Sequence, residues 1–266
     1  MTLSPHNKAP RSLLRLGAAQ GSGVPLYCLP FAGGTAHFYQ DWALPRLKDL
    51  PVHAVELPGR GLRLRESLVP DMSSLVDDLL THVMPAIEGP FALFGHSMGA
   101  LLAYELTRAL ARMGRPLPSL LLDSACRAPH LPARNDPWHD LPEDALITEV
   151  ENLAGTPLGA LQNDDIRAMM VPVFRSDFRL VEQYCHQPAA PLPVPIKAFG
   201  GADDPLVYPE DLAGWADHTT DFRGRRLFHG GHFYLNAHAD DLAADLRRTL
   251  ASAVQDHATT GESEPT

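Results

Sequence analysis

The chain has 266 residues, 45% of them hydrophobic and 20% charged, with 32 Asp and Glu against 22 Lys and Arg and a net charge of −10. This composition excludes wholesale disorder, and the acidic balance argues against a nucleic-acid binder, which needs a basic face for phosphate. No apolar run approaches the roughly 18 residues of a membrane span. Arg11 and Arg15 are followed by no sustained apolar stretch, so no signal peptide is read. Cys28, Cys126 and Cys185 are odd in number and far apart, which suggests a reduced, cytoplasmic protein without a disulfide framework.

Residues 1–23 read as a loose lead-in with one short edge strand at Leu13 to Leu16. Val24 to Phe31 is a first core strand, ended by Gly33-Gly34, and Val52 to Leu57 a second, closed by Pro58-Gly59. Leu75, Leu79, Leu80 and Val83 form a helical stripe with Asp71 or Ser73 as N-cap. Phe91 to Phe94 is a third strand, followed by a helix over Ala100 to Arg112, and Leu120 to Leu122 is a fourth strand. From Pro129 to Gln187 there are only helical pieces: Glu143 to Leu153, Asp164 to Met170 and Phe178 to Tyr184. About 60 residues exceed an ordinary crossover, so the stretch reads as a helical lid, with an elaborated crossover as the alternative. Val194 to Phe199 and Arg225 to Phe228 are the fifth and sixth strands, and Leu242, Leu246 and Leu250 mark the last helix. The alternation predicts an α/β fold, a mostly parallel sheet with helices on both faces. One domain is expected over 24–254, with the lid at about 129–187 and a disordered tail over 255–266.

The sharpest motif is Gly95-His96-Ser97-Met98-Gly99. Between a strand and a strong helix it fits the nucleophile elbow, a turn that lifts a serine hydroxyl above the sheet edge at a helix N-terminus. A serine needs a base oriented by an acid, in the chain order Ser, acid, His. Gly200-Gly201-Ala202-Asp203-Asp204-Pro205 and His229-Gly230-Gly231-His232 supply that order from loops after strand-like runs. His232 is favoured over His229 by its place before the final helix. Asp204, immediately before Pro205, is favoured over Asp203, which is left to stabilise the turn. One oxyanion donor should be the Met98 N–H, directly after the nucleophile. The other should come from Phe31 or Ala32, because Pro30 has no N–H.

The strings LPFAGG (29–34), ELPGRG (56–61), FGHSMGA (94–100), FRSDFRLVEQY (174–184), GGADDP (200–205) and GGHFYL (230–235) resemble those of the type II, or external, editing thioesterases of polyketide and nonribosomal peptide synthases. The likeness spans about residues 24–250. It implies the α/β-hydrolase fold with a helical lid. It places nucleophile, acid and base on Ser97, Asp204 and His232, and the oxyanion donors on Met98 and Ala32. It also implies hydrolysis of acyl groups from the phosphopantetheine arm of acyl or peptidyl carrier proteins, which would free blocked synthase modules. Alternatives are a general esterase of the same fold, a product-releasing thioesterase, or a non-catalytic docking protein.

No Walker A loop, H-E-x-x-H or zinc-spaced cysteine pair is present, so no metal and no cofactor is expected. A monomer is expected, without nucleic-acid or membrane partners. In the insertion, Met170 and Phe174 are candidate substrate-binding residues, with lid packing as the other reading. Arg60, Arg63, Arg65 and Arg127 fall in loops at the sheet edge that carries Ser97, where they would suit an acidic carrier and its phosphate.

Overall fold

Apolar runs bounded by Gly and Pro form parallel strands because both faces of such a sheet are covered. The computed structural model describes residues 11–17, 23–153, 155 and 159–260. Among them are β1 (Leu13–Arg15), β2 (Leu26–Leu29), β3 (Val52–Val55), β4 (Ala92–His96), β5 (Leu120–Ser124), β6 (Ile196–Gly201) and β7 (Phe222–Phe228). They form one sheet in the order β1-β3-β2-β4-β5-β6-β7. β1 pairs antiparallel with β3 and the other neighbours are parallel. The edge strand expected at Leu13 to Leu16 is thus present, one residue shorter. The rest of the lead-in, 1–10 and 18–22, lies outside the described residues. β7 starts three residues before the expected Arg225, and its alternating exposure suits a sheet edge.

The helices are α1 (Ala36–Leu47), α2 (Met72–His82), α3 (Met98–Arg112), α4 (Glu143–Asn152), α5 (Asp164–Glu182), α6 (Pro209–Ala213), α7 (Tyr234–Ala237) and α8 (Ala239–Thr260). On one face α1, α7 and α8 bury Tyr39, Trp42, Tyr234, Leu242 and Leu246 against Phe94 and Leu122 of the sheet. On the other, α2 and α3 bury Leu75, Leu79, Leu102 and Leu106 against Leu29, Leu93 and Leu121. Asp71 caps α2 by accepting from Ser74 N at 2.8 Å, and Ser73 falls inside the helix.

The stretch from Pro129 to Gln187 contains no strand among the described residues. Its helices share a core of Trp138, Leu146, Ile147, Val150, Leu161, Val171 and Phe174. The pieces expected at Asp164 to Met170 and Phe178 to Tyr184 are one 19-residue helix, α5, running through Pro172. Proline removes a single N–H, and the buried residues Val171, Phe174, Asp177 and Leu180 hold both sides of it in one stripe. At the C-terminus α8 continues to Thr260, where disorder was expected from residue 255; residues 261–266 lie outside the described residues. Once begun, a helix adds one hydrogen bond per residue fixed, so it can run past its last apolar position. No described helix is long and apolar enough to cross a membrane.

Candidate active site

β4 delivers Ser97 to the end of the sheet between its parallel neighbours β2 and β5. Ser97 has φ 54° and ψ −119°, a region that costs a non-glycine residue about 1–3 kcal/mol. Its N–H donates to Ser124 O at 2.7 Å, which fixes the turn to β5. The flanking glycines are required by space. A Cβ on Gly95 would lie 2.2 Å from the Gly99 carbonyl, and one on Gly99 would lie 2.3 Å from Leu29 O. Met98 is the first residue of α3, so its N–H has no intrahelical acceptor.

The loops after β6 and β7 bring the other two residues in. His232 is 4% exposed and Asp204 2% exposed. His232 Nδ1 lies 2.8 Å from Asp204 Oδ2, and a carboxylate can only accept, so the ring N–H donates. Asp204 Oδ1 accepts from Leu206 N at 2.9 Å and Val207 N at 3.2 Å. Both carboxylate oxygens therefore have assigned partners. Asp203 is exposed and turns to Gly230 N at 3.2 Å, and His229 is exposed. Ser97 and His232 line the same cavity together with Phe31, Ala32, Phe174 and Phe233.

Two small cavities meet at Ser97 and His232. One, of about 40 Å³, is walled by Phe31, Val150, Leu153, Phe174, Phe178 and Phe233. The other, of about 70 Å³, runs under the lid past Leu101, Cys126, Trp138, Phe178 and Val181. Phe174 thus sits at the site. Met170, the other residue expected to touch substrate, lines neither cavity. It faces an open groove beside Phe31, Gly33 and Phe174, because α5 crosses the site only from Phe174 onward. Phe233 and Trp138, not singled out from sequence, complete the walls; Phe233 was signalled only by adjacency to His232.

Two buried groups on the strands that end at the site have unpartnered atoms. His96 shares a hydrogen bond through Nδ1 with Ser124 Oγ at 2.8 Å, and Ser124 Oγ with Tyr234 OH at 2.6 Å. Its Nε2 has no partner among the described residues, and its ring centre is 5.3 Å from that of His232. Burial, with the His232 charge adding to it, holds His96 well below the ordinary histidine range, so it stays neutral beside His232. Asp123, in β5, is fully buried with neither carboxylate oxygen partnered. Burial pushes its pKa well above the usual carboxylate range. Among the described residues no cluster of His, Cys, Asp and Glu is placed to hold a metal ion.

Two of the three arginines expected to ring the site from the loop after β3 are buried instead. Arg63 is 3% exposed and grips Asp78 with both terminal nitrogens at 2.7 Å, while its Nε reaches Glu66 at 3.0 Å. Arg60 is 4% exposed and pairs with Asp177 of the lid. Both charges are turned inward by carboxylates distant in sequence. Arg65 is exposed, and the half-buried Arg127 lines the cavity under the lid.

A mostly parallel sheet ending in a strained serine turn, with an Asp-paired histidine in the same cavity, defines an α/β hydrolase. The chain belongs to the thioesterase domain family, whose sequence model matches residues 24–250. It is 35% identical over 237 residues to "Thioesterase PikA5" of Streptomyces venezuelae, covering 87% of this chain and 83% of that one. It is also 35% identical over 242 residues to a "Probable cadicidin biosynthesis thioesterase" of Streptomyces griseus, covering 91% of this chain and 66% of that protein. Among solved structures it superposes on the type II thioesterase BorB from the borrelidin biosynthetic cluster with a TM-score of 0.82. The sequences are 34% identical there, over 92% of this chain and 100% of that one.

Proposed function

We propose that the protein hydrolyses acyl thioesters carried on the phosphopantetheine arm of acyl or peptidyl carrier proteins, clearing aberrant acyl groups from synthase modules. The observation that carries this reading is the Asp204-paired His232 sharing a cavity with Ser97 at its strained turn. In the proposed cycle Ser97 Oγ attacks the thioester carbonyl while His232 Nε2 takes the hydroxyl proton. The N–H groups of Met98 and Ala32 hold the tetrahedral oxyanion. Collapse expels the arm thiolate, which takes the proton from His232. Water, deprotonated by His232, then releases the acid and restores Ser97. Asp204 keeps the ring in the tautomer that leaves Nε2 free to accept. The protein acts as a monomer in the cytoplasm in this reading.

Ser97→Ala tests the proposal. Hydrolysis of acyl-carrier thioesters should fall on the order of 10³-fold or more with the melting temperature retained. Retention of more than about a tenth of the activity removes Ser97 from the role. Comparing an acyl-carrier thioester with a small oxygen ester separates this reading from a general esterase, which would prefer the ester.

A further inference from the structure

The loop after β2 and the lid meet at a buried ion pair that the cycle above does not use. Phe31 to Gly34 is a tight turn, closed by Gly34 N donating to Phe31 O at 2.8 Å, with Gly33 at φ 76° in the left-handed region. The Gly33 N–H points away from the turn and donates to Asp177 Oδ2 at 2.7 Å. Asp177 belongs to α5 and is fully buried. Its carboxylate also receives both terminal nitrogens of Arg60, Nη1 on Oδ2 and Nη2 on Oδ1, the latter at 2.8 Å. Arg60 Nε donates to Pro58 O, so the loop after β3 is drawn into the same knot. One turn before Asp177, the Phe174 ring lies on Gly33, where a Cβ would sit 2.0 Å from Phe174 Cε1.

We propose that Asp177 is a positioning residue for the oxyanion loop. By holding the Gly33 N–H it sets the peptide plane that follows Ala32, and so aims the Ala32 N–H at the carbonyl being attacked. The inference rests on the hydrolytic reading above. The Ala32 and Gly33 N–H groups lie on successive rigid peptide planes joined by two dihedrals of Ala32. The bond from Gly34 to Phe31 restrains one side of that joint and Asp177 the other. A charged acceptor makes the shorter and stronger bond, and the bidentate Arg60 keeps that charge tolerable where water is excluded. The lid helix that walls the cavity with Phe174 therefore also anchors the loop beside it.

Two variants separate positioning from simple stapling, read by kcat and KM on an acyl-carrier thioester and by thermal melting. Asp177→Asn keeps an oxygen for Gly33 but leaves Arg60 uncompensated in the interior. Asp177→Leu with Arg60→Met removes the acceptor together with both charges, an exchange often neutral for stability. We expect Asp177→Asn to melt lower than the double variant yet keep the higher kcat. The double variant should lose about 10- to 100-fold in kcat, part of the 10²–10³ that loss of an oxyanion donor costs, with KM little changed. Full kcat in the folded double variant overturns the proposal.

If the double variant does not fold, amide hydrogen exchange on the intact protein decides. Slow exchange at Gly33 throughout, with Ala32 slowed only after a phosphonate labels Ser97, supports it. Fast exchange at Gly33, or an Ala32 amide unmoved by labelling, overturns it. Ser97→Ala keeps the two readings apart. If that variant stays active, the hydrolytic assignment fails; if it is inactive while the double variant is fully active, only the positioning role fails.

Discussion

Asp204→Asn should disable the site through a tautomer, and the structure says which way the new amide must face. Asp204 Oδ1 accepts two backbone N–H groups, from Leu206 at 2.9 Å and Val207 at 3.2 Å. An asparagine there must leave its oxygen on those donors, because its NH₂ can only oppose them. The NH₂ then replaces Oδ2, 2.8 Å from His232 Nδ1. Two N–H groups cannot face each other, so the ring shifts its proton to Nε2, the nitrogen that must accept from Ser97. The analogous change in a serine protease triad lowers kcat about 10⁴-fold, which is about 5.4 kcal/mol of barrier. Both side chains are of one size and the pocket is unchanged, so the fold should stand. The control is Asp203→Asn, which touches only an exposed bond to Gly230 at 3.2 Å and should cost little activity. The assay is thiol release from an acyl-carrier thioester under saturating substrate. Activity of Asp204→Asn above about a tenth of the parent, or a larger loss in Asp203→Asn, would refute the tautomer argument.

Arg63→Ala should act on stability rather than on substrate docking, since it takes both guanidinium bonds from Asp78, whose side chain is 10% exposed and keeps only the exposed His82 as a partner. Losing a charged hydrogen-bond partner at a part-buried carboxylate costs about 1–3 kcal/mol, a fall in Tm of about 5 °C, and an unchanged melting curve would contradict the inward assignment. Asp123→Asn should stabilise the protein at neutral pH. The folded pKa of Asp123 is raised, so the folded state keeps a proton that the unfolded state releases, and stability declines as pH rises above the usual carboxylate range. The gain of the variant, on the order of 1–3 kcal/mol at pH 7, should close toward pH 4; an equal gain at both pH values would trace it to packing instead.

How far the sequence spoke for itself depended on the distance over which each feature is decided. β2 and the leading residues of β4 and β5 were legible because strands covered on both faces are mostly apolar, and the serine turn because its glycines stand within two residues of Ser97. Asp204 could be preferred over its neighbour because a tight turn aims one side chain inward. The direction of the arginines was not legible. Arg60 finds its carboxylate 117 residues away and Arg63 one of its own 15 away, so local composition showed charge without showing burial. α1 carries a buried stripe of Ala36, Tyr39, Trp42, Ala43 and Leu47, yet Pro45 and the charged and polar residues between them masked its period. Pro172 likewise cut α5 in two on paper, though tertiary packing holds it whole. Met170 shares the side of α5 that holds Phe174, and only the crossing point of the helix decides which of them reaches Ser97.

The lid is unevenly tied to the body, and this bears on how such enzymes could be recombined. α4 joins its surroundings through the apolar side chains of Leu146, Ile147 and Val150, contacts that tolerate exchange when volume is kept. α5 is bound by a charge pair to Arg60 and by a hydrogen bond to Gly33, which lie on two other loops. A chimera that grafts a relative's α4 segment should keep a working turnover centre. One that grafts α5 has to import residues 31–34 and 58–60 with it, because the graft boundary otherwise runs through a buried charge.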